Sequence, residues 1–405
     1  MVETPHIDLF SPEYRANPYQ FYTQAREQGP LYTVATHGEH TTWMVVRYED
    51  ADAILRDPRF IKRVEDLIPP EERRSPSTPL ELALAQINKH MLASDPPSHT
   101  RLRGLVNKAF TPRMIEQWRP RIQAITDELL DAVQERHEIE LISDFAFPLP
   151  MTVISEMLGI PEADRQQFRT WSNQIVDSFG SREHFEQIVP DMIAFAQYLF
   201  GFIAQRRQQP QNDLVSRLIE AEEGGDTFSE NELVSMIFLL LVAGHETTVN
   251  LIGNGVLALL LHPDQIALLQ QQPELIKPAV EELLRYNGPL YTATGRWASV
   301  DLDYKGHSIK RGDMIMVGLA SANHDSLLFP HGDDLDITRK ENAHLAFGKG
   351  IHYCLGAPLA RLEGQIAIAT LFRRFPDLHL NVDPRILTWR MGTLVHGLDR
   401  LPVTF

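Results

Sequence analysis

The sequence predicts a mainly α-helical protein with small β-sheets, folded as one large domain over residues 1–405. Three observations carry that expectation. Apolar residues recur at helical spacing over most of the chain, strand-like segments are few and short, and no Gly/Ser-rich linker, low-complexity tract or internal repeat divides it. The 43% hydrophobic fraction is ordinary for a globular protein and sufficient for a large core.

Taken in order, residues 43–48 (WMVVRY) are β-rich, and similar short segments follow at 302–309 and 314–319. Residues 68–79 (IPPEERRSPSTP) are Pro-rich and charged and lead into the apolar stretch 80–92, the pattern of a flexible cover over a pocket. Helical periodicity runs over 102–110, 114–134, 165–207 and 278–286. The clearest helix starts near Ser229, where Ser229 and Glu232 have capping-box spacing, and runs to His262, where Pro263 stops it. Residues 236–242 (MIFLLLV) and 256–261 (VLALLL) leave it little polar face, so it should cross the protein interior. A membrane helix is the alternative. It is disfavoured because Gly244, His245, Glu246, Thr247, Thr248 and Asn250 interrupt the middle and would be costly in lipid.

A formal net charge of −16 and a pI of about 5.4 exclude nucleic acid or an anionic membrane as the main partner, since both reward basic surfaces. The first residues are polar and carry Glu3, Asp8 and Glu13, unlike a signal peptide, and no uninterrupted membrane span is expected elsewhere. A cytoplasmic location is therefore expected. One cysteine excludes an intramolecular disulfide and suits a reducing compartment. A lone Cys is commonly a small buried hydrophobe, so Cys354 must be judged by its neighbours.

Those neighbours, residues 347–357, read F-G-K-G-I-H-Y-C-L-G-A, followed by Pro358, Leu359, Ala360 and Arg361. The pattern F-G-x-G-x-H-x-C-x-G-A resembles the haem-binding loop of the cytochrome P450 superfamily, and the resemblance extends over nearly the whole chain through the motifs below. It implies a triangular helical prism around haem b, with Cys354 as axial iron ligand and Phe347, Gly348, His352 and Gly356 in the cofactor-binding loop. In that family the thiolate pushes electron density toward O–O cleavage. A Cys opening a helix over 355–372 would receive the positive end of its dipole and nearby N–H groups, which stabilise the anion. Gly348, Gly350 and Gly356 permit a tight backbone and close approach to a flat macrocycle.

Haem propionates need cations. In residues 95–103 (D-P-P-S-H-T-R-L-R), His99 and Arg103 share a helix face, and by resemblance both bind propionate; Arg296 and His352 match two further family positions. Glu282 and Arg285 form the E-x-x-R pair, which is structural in the family. That network is often completed by an Arg just before the Phe of a P-x-x-F-like segment. Here residues 329–339 read F-P-H-G-D-D-L-D-I-T-R, with Asp334 and Leu335 in those places, so Arg339 or His331 is the candidate replacement.

Residues 243–248 (A-G-H-E-T-T) resemble the family's acid–alcohol motif and put Ala243 and Gly244 against the haem. Gly244 would let the backbone approach, and a mid-helix hydroxyl can bond back to a carbonyl and widen the turn, leaving space for dioxygen and water. Oxygen activation needs protons delivered into an otherwise dry pocket. The resemblance implies that Thr247 stabilises the bound oxygen species and that Glu246 connects with bulk protons. His245-Glu246 begins an H-E-x-x-H zinc motif, but Val249 occupies the second His position, and residues 253–258 mimic a dinucleotide fingerprint inside a helix rather than after a strand.

The expected substrate walls are residues 80–92, ending at Leu92; Val242 and Ala243; and residues 290–294, with Leu290, Tyr291, Thr292 and Ala293. Residues 391–395 add Thr393 and Leu394. They are mostly apolar, with hydroxyls at Tyr291, Thr292 and Thr393, which suits a hydrophobic small molecule such as a macrolide or polyketide, steroid, terpenoid or fatty acid. Arg101, Arg103, Lys108, Arg113, Arg119 and Arg121 stand against the single acid Glu116 and, with Lys349 and Arg361, form a candidate docking patch. The resemblance implies an acidic ferredoxin or flavodoxin there. The expected function is a monooxygenase that inserts one oxygen atom from dioxygen, most similar to bacterial members acting on secondary metabolites. A peroxide-driven enzyme would not need Glu246 and Thr247, and a haem sensor or carrier would need no redox partner.

Overall fold

A computed structural model describes residues 8, 9, 14, 18–178, 186–221, 225–390 and 392–405. The chain divides into two compact units, each assembled from separate stretches. Met1–Arg73, Asn250–Ala357 and Phe372–Leu401 make the first; Arg74–Val249, Pro358–Leu371 and Pro402–Phe405 make the second.

The first unit is organised by a five-stranded sheet. Leu31–His37 and His40–Val45 form an antiparallel hairpin with a bulge between Thr33 and Ala35. Met314–Val317 runs parallel to His40–Val45, Arg296–Ala298 pairs antiparallel with it, and Phe60–Ile61 closes the order. Side chains alternate between the two faces of a strand, so Trp43 and Val45 join Ala51, Ile54, Leu55, Ile315 and Val317 in one core, while Met44 and Val46 join Tyr22, Ala25 and Met316 in another. The expected strand 43–48 ends at Val45, because Glu49 and Asp50 open the helix Tyr48–Arg56 with acids in its first turn. Residues 302–309 resolve into a hairpin, Leu302–Tyr304 against His307–Ile309, turned by Lys305 and Gly306, both with positive φ.

The second unit is helical apart from a short antiparallel pair, Glu138–Glu140 against Pro402–Thr404. The expected helix 114–134 is two, Pro112–Gln117 and Arg119–Asp131, because Pro120 has no N–H to continue the first. Periodicity over 165–207 resolves into Glu162–Ser178 and Val189–Gln208, with residues 179–185 outside the described set, as are most of the first 17 residues and Met391.

The long helix spans Glu230–Leu260. Ser229 and Glu232 cap it reciprocally: Ser229 N–H donates to Glu232 Oε2 at 2.8 Å and Glu232 N–H to Ser229 Oγ at 3.4 Å. Contrary to the sequence expectation, this helix is long and apolar enough to cross a membrane by length and composition. In this fold 72% of its apolar window is buried inside the protein.

Candidate functional site

Cys354 lies in a loop between a single 3₁₀ turn, Gly350–His352, and the helix Ala357–Arg374. The helix starts beyond the expected position, so the loop itself fixes the thiol. Cys354 N–H donates to Phe347 O at 3.0 Å and Gly348 N–H to Leu345 O at 2.8 Å, closing consecutive turns. Gly348 and Gly350 take φ of +67° and +71°, where a side chain is strained. A Cβ at Gly350 would stand 2.6 Å from Leu55 O, so this glycine seats the loop on the helix Tyr48–Arg56; clearing a macrocycle is not what demands it. A Cβ at Gly348 would meet nothing within 4 Å. A Cβ at Gly356 would lie 3.9 Å from Cys354 Sγ, and this half-buried sulfur, the only thiol in the chain, is a donor that fits a thiophilic metal. His352 and Phe347 are half-buried in the same loop.

The loop is braced from below. Arg285 donates to Glu282 Oε2 and Oε1 at 2.8 and 2.7 Å, both residues on the helix Ile276–Tyr286 and both buried. Its remaining donors go to the carbonyls of Asn323, Gly332 and Asp334 at 2.9, 2.6 and 3.0 Å. Arg339 takes the third cation's place, donating to Pro330 O and His331 O as well as to Glu282, whereas the His331 ring is exposed. Asn342 Nδ2 adds a further bond to Glu282 at 3.0 Å. A buried ion pair holds only when its lone pairs and donors are satisfied in this way. Asn323, tied to Arg285 through its carbonyl, accepts Leu345 N–H on its side chain at 2.7 Å, which carries the network to the start of the thiol loop.

Of the propionate candidates, His99 and Arg103 share one face of the helix Ser98–Ala109 in the second unit. Burial first, then the Arg103 charge, hold the His99 imidazole below its ordinary value. Arg296 and His352 belong to the first unit, Arg296 buried on the strand facing Ile315.

Along the long helix, Leu239, Val242, Gly244 and Thr247 are half-buried and Ala243 exposed, whereas Leu240, Leu241, His245, Glu246, Thr248 and Val249 are buried. Positions four apart lie above one another, so 239, 243 and 247 form an accessible stripe on an otherwise enclosed helix. Thr247 Oγ1 donates to Ala243 O at 3.0 Å, the expected back-bond. A Cβ at Gly244 would lie 3.4 Å from Ile154, an ordinary packing distance to the helix Pro148–Leu158, so that neighbour does not itself demand a glycine, while Ala243 presents the stripe. His245, passed over in sequence as a failed zinc motif, donates from Nδ1 to Leu241 O at 2.9 Å and places Nε2 3.9 Å from Glu246 Oε2.

The expected cover begins with an exposed 3₁₀ turn at Pro70–Glu72. The helix Pro79–Ile87 follows, and Ser235 of the long helix ties down its end, donating to Gln86 O at 2.7 Å and accepting from Lys89 N–H at 3.2 Å. Leu92 is half-buried just beyond. In the first unit, Thr292 is buried with its hydroxyl donated to Thr393 O at 3.0 Å, and Tyr291 is half-buried against the core around Tyr22, where burial pushes its phenol well up. Leu290 and Ala293 pack against the sheet core, while Thr393 and Leu394 keep accessible surface. The basic cluster is also altered by the fold: Arg101 pairs with Glu232, Arg119 with Glu116, and Arg121 with Glu128 and Glu156, while Lys108 and Arg113 are exposed.

Comparison with known proteins agrees with this geometry. The family model described as Cytochrome P450 matches residues 7–394. The polyketide biosynthesis cytochrome P450 PksS of Bacillus subtilis (strain 168) is 46% identical over 396 residues, covering 97% of this chain and 96% of its own length. The cytochrome P450 monooxygenase PikC of Streptomyces venezuelae is 44% identical over 404 residues, 98% of this chain and 94% of its own. Among solved structures, PksS of the Bacillus subtilis 168 bacillaene polyketide synthase aligns with a TM-score of 0.91 at 44% identity, covering 97% of this chain and 98% of that one.

Proposed function

This chain belongs to the cytochrome P450 family of haem-thiolate oxidoreductases, and from that premise we propose that it hydroxylates a hydrophobic secondary metabolite, with a polyketide or macrolide the foremost class. Electrons come from a separate ferredoxin or flavodoxin, the cofactor is haem b, and the setting is the cytoplasm, which the single cysteine and acidic charge suit. Residues 1–405 act as one functional module, a reading supported by a chain that passes repeatedly between the two units. The polyketide class is favoured because PksS carries that word in its name.

The bound haem supplies reductive activation of dioxygen at iron. Cys354 would supply the thiolate ligand, and His99, Arg103, Arg296 and His352 would hold the propionates. The observation that carries the reading is the accessible stripe ending at Thr247, the one reactive hydroxyl on it. With its proton given to Ala243 O, Thr247 Oγ1 turns lone pairs outward and accepts from a water or protonated oxygen species; releasing the carbonyl, it donates. Glu246, buried at the next position, connects the site with bulk protons, and His245 Nε2, 3.9 Å away, limits where that carboxyl can stand. Leu92, Val242, Thr393 and Leu394 line the substrate space.

The test is spectroscopic. Reduced protein under carbon monoxide should show the red-shifted band of thiolate ligation, and Cys354→Ser should lose it. Spin-state titration against macrolactones, steroids, terpenoids and fatty acids then ranks the substrate classes. An unshifted band in the parent protein removes the haem-thiolate assignment, and a response to fatty acids alone removes the polyketide one.

A further inference from the structure

His396, on the C-terminal hairpin, is 2% exposed. Its ring packs on Tyr291, tilted by 30° with centroids 4.3 Å apart, and stacks on Trp389 at 4.4 Å and 25°. Nδ1 lies 3.1 Å from Gly288 O; a carbonyl only accepts, so Nδ1 carries the proton. The backbone is tied on both sides: His396 N–H donates to Pro289 O at 2.8 Å, and its carbonyl accepts Asn254 Nδ2 at 2.9 Å. The strap continues to the hairpin tip through Tyr291 N–H to Leu394 O at 2.9 Å, the Thr292 bond to Thr393 O, and an antiparallel bridge between Leu290 and Val395. Residue 293 is fastened in turn to the sheet, Ala293 N–H donating to Val317 O at 2.8 Å, and residue 291 to the short helix Leu319–Ala322, Ala320 N–H donating to Tyr291 O at 3.1 Å. Gly397 permits no slack, since a Cβ there would fall 2.1 Å from Asn250 Oδ1. Burial drives the imidazole down to about 3, which keeps the ring neutral at any working pH.

We propose that His396 is a positioning residue for substrate: it clamps residues 388–399 onto residues 288–293 and so fixes where Thr393 and Leu394 stand, which sets the size selectivity of the site. The inference rests on the reading that 393–394 line the substrate space. A hairpin tip joined to its neighbours only by isolated bridges would otherwise be mobile, and a wall selects by shape only when its backbone is locked by packing and second-layer hydrogen bonds. Removing the ring takes from Trp389 its stacked neighbour, from Tyr291 its packed one, and from Gly288 O the shorter of two bonds, leaving the 3.5 Å contact with Asn254 Nδ2.

The holoprotein and its His396→Ala, His396→Phe and Thr292→Val variants would be titrated with imidazole and with 4-phenylimidazole, read by the haem absorption shift, alongside amide hydrogen exchange of residues 288–293 and 393–397. In His396→Ala, exchange should accelerate, imidazole affinity stay unchanged, and 4-phenylimidazole affinity fall about tenfold, because only the larger probe reaches the wall. His396→Phe keeps the stacking and Thr292→Val keeps the ring; each should lose about threefold in the same direction, which keeps the test readable if the Ala variant fails to hold haem. Unchanged exchange in all variants overturns the clamp. Faster exchange with unaltered 4-phenylimidazole affinity instead overturns the wall reading, and with it the role in selectivity.

Discussion

Arg339 Nε lies 3.1 Å from each carboxylate oxygen of Glu282, so a carboxylate with no exposed surface is shared between two guanidiniums, the other being Arg285. Breaking one side of a buried ion pair typically costs about 3–5 kcal/mol. Arg339→Ala should therefore melt markedly earlier and bind less haem, while Arg339→Lys, which keeps the charge but lacks the planar fork, should fall between. Thermal unfolding and pyridine haemochrome content measure both; a parent-like melt for Arg339→Ala would contradict the network.

Thr247→Ala removes the hydroxyl from the accessible stripe. Electron consumption should continue while product falls by on the order of 10²-fold and peroxide accumulates, the loss expected for one positioned proton-transfer group. The ratio of product to electrons consumed is the measurement, and tight coupling in this variant would reassign the proton path.

Glu363, on the helix Ala357–Arg374, is buried, and neither carboxyl oxygen meets a hydrogen-bond donor among the described residues. Burial pushes its pKa well above the ordinary 4.5, so the folded protein keeps a proton that the unfolded chain releases. The folded state binds more protons from pH 4.5 up to the raised value, and stability declines as pH rises through that window. Glu363→Gln removes the titration. Its melting temperature should exceed the parent's by a gap that widens as pH rises above 4.5.

His90 behaves with the opposite sign. Its Nδ1 accepts Ala93 N–H at 3.2 Å, and burial pushes the imidazole down to about 4 from 6.5. The unfolded chain binds more protons between those values, so stability is lost as pH falls from 6.5 to 4, and His396 adds a loss of the same sign. His90→Asn keeps an acceptor without titrating and should flatten the acid limb of a urea-midpoint against pH plot.

Lys108 and Arg113 are exposed in a segment whose other arginines are largely engaged by acids. Changing both to Gln should slow reduction by an acidic ferredoxin about tenfold at low ionic strength, with the difference closing in salt. Stopped-flow reduction at two salt concentrations decides it, and equal rates would move the docking site elsewhere.

What the sequence reveals follows from how local the chemistry is. The thiol loop and the A-G-H-E-T-T motif are legible because their residue types stand in contiguous order. The long helix is legible because its apolar character and Ser229–Glu232 cap are local too. Arg339 is reachable only as one of two alternatives, since spacing does not reveal which cation folds back on Glu282. The bond from Thr292 to Thr393 O is not legible, because it joins segments about a hundred residues apart. The basic cluster is overestimated because Glu156 and Glu232, which pair with Arg121 and Arg101, come from distant helices. His396 leaves no local signal, as its ring partners and acceptor come from separate segments.

The strand order of the first unit also governs how the protein must be made. The hairpin formed by Leu31–His37 and His40–Val45 leaves the ribosome early, yet the neighbour that completes its inner edge, Met314–Val317, is translated late. Until then the nascent chain carries an apolar strand, Trp43 to Val45, with one edge open to mispairing. Pairings this distant in sequence also form slowly. Prematurely terminated products that stop short of Met314 keep that edge permanently, and so should aggregate where the finished protein stays dispersed.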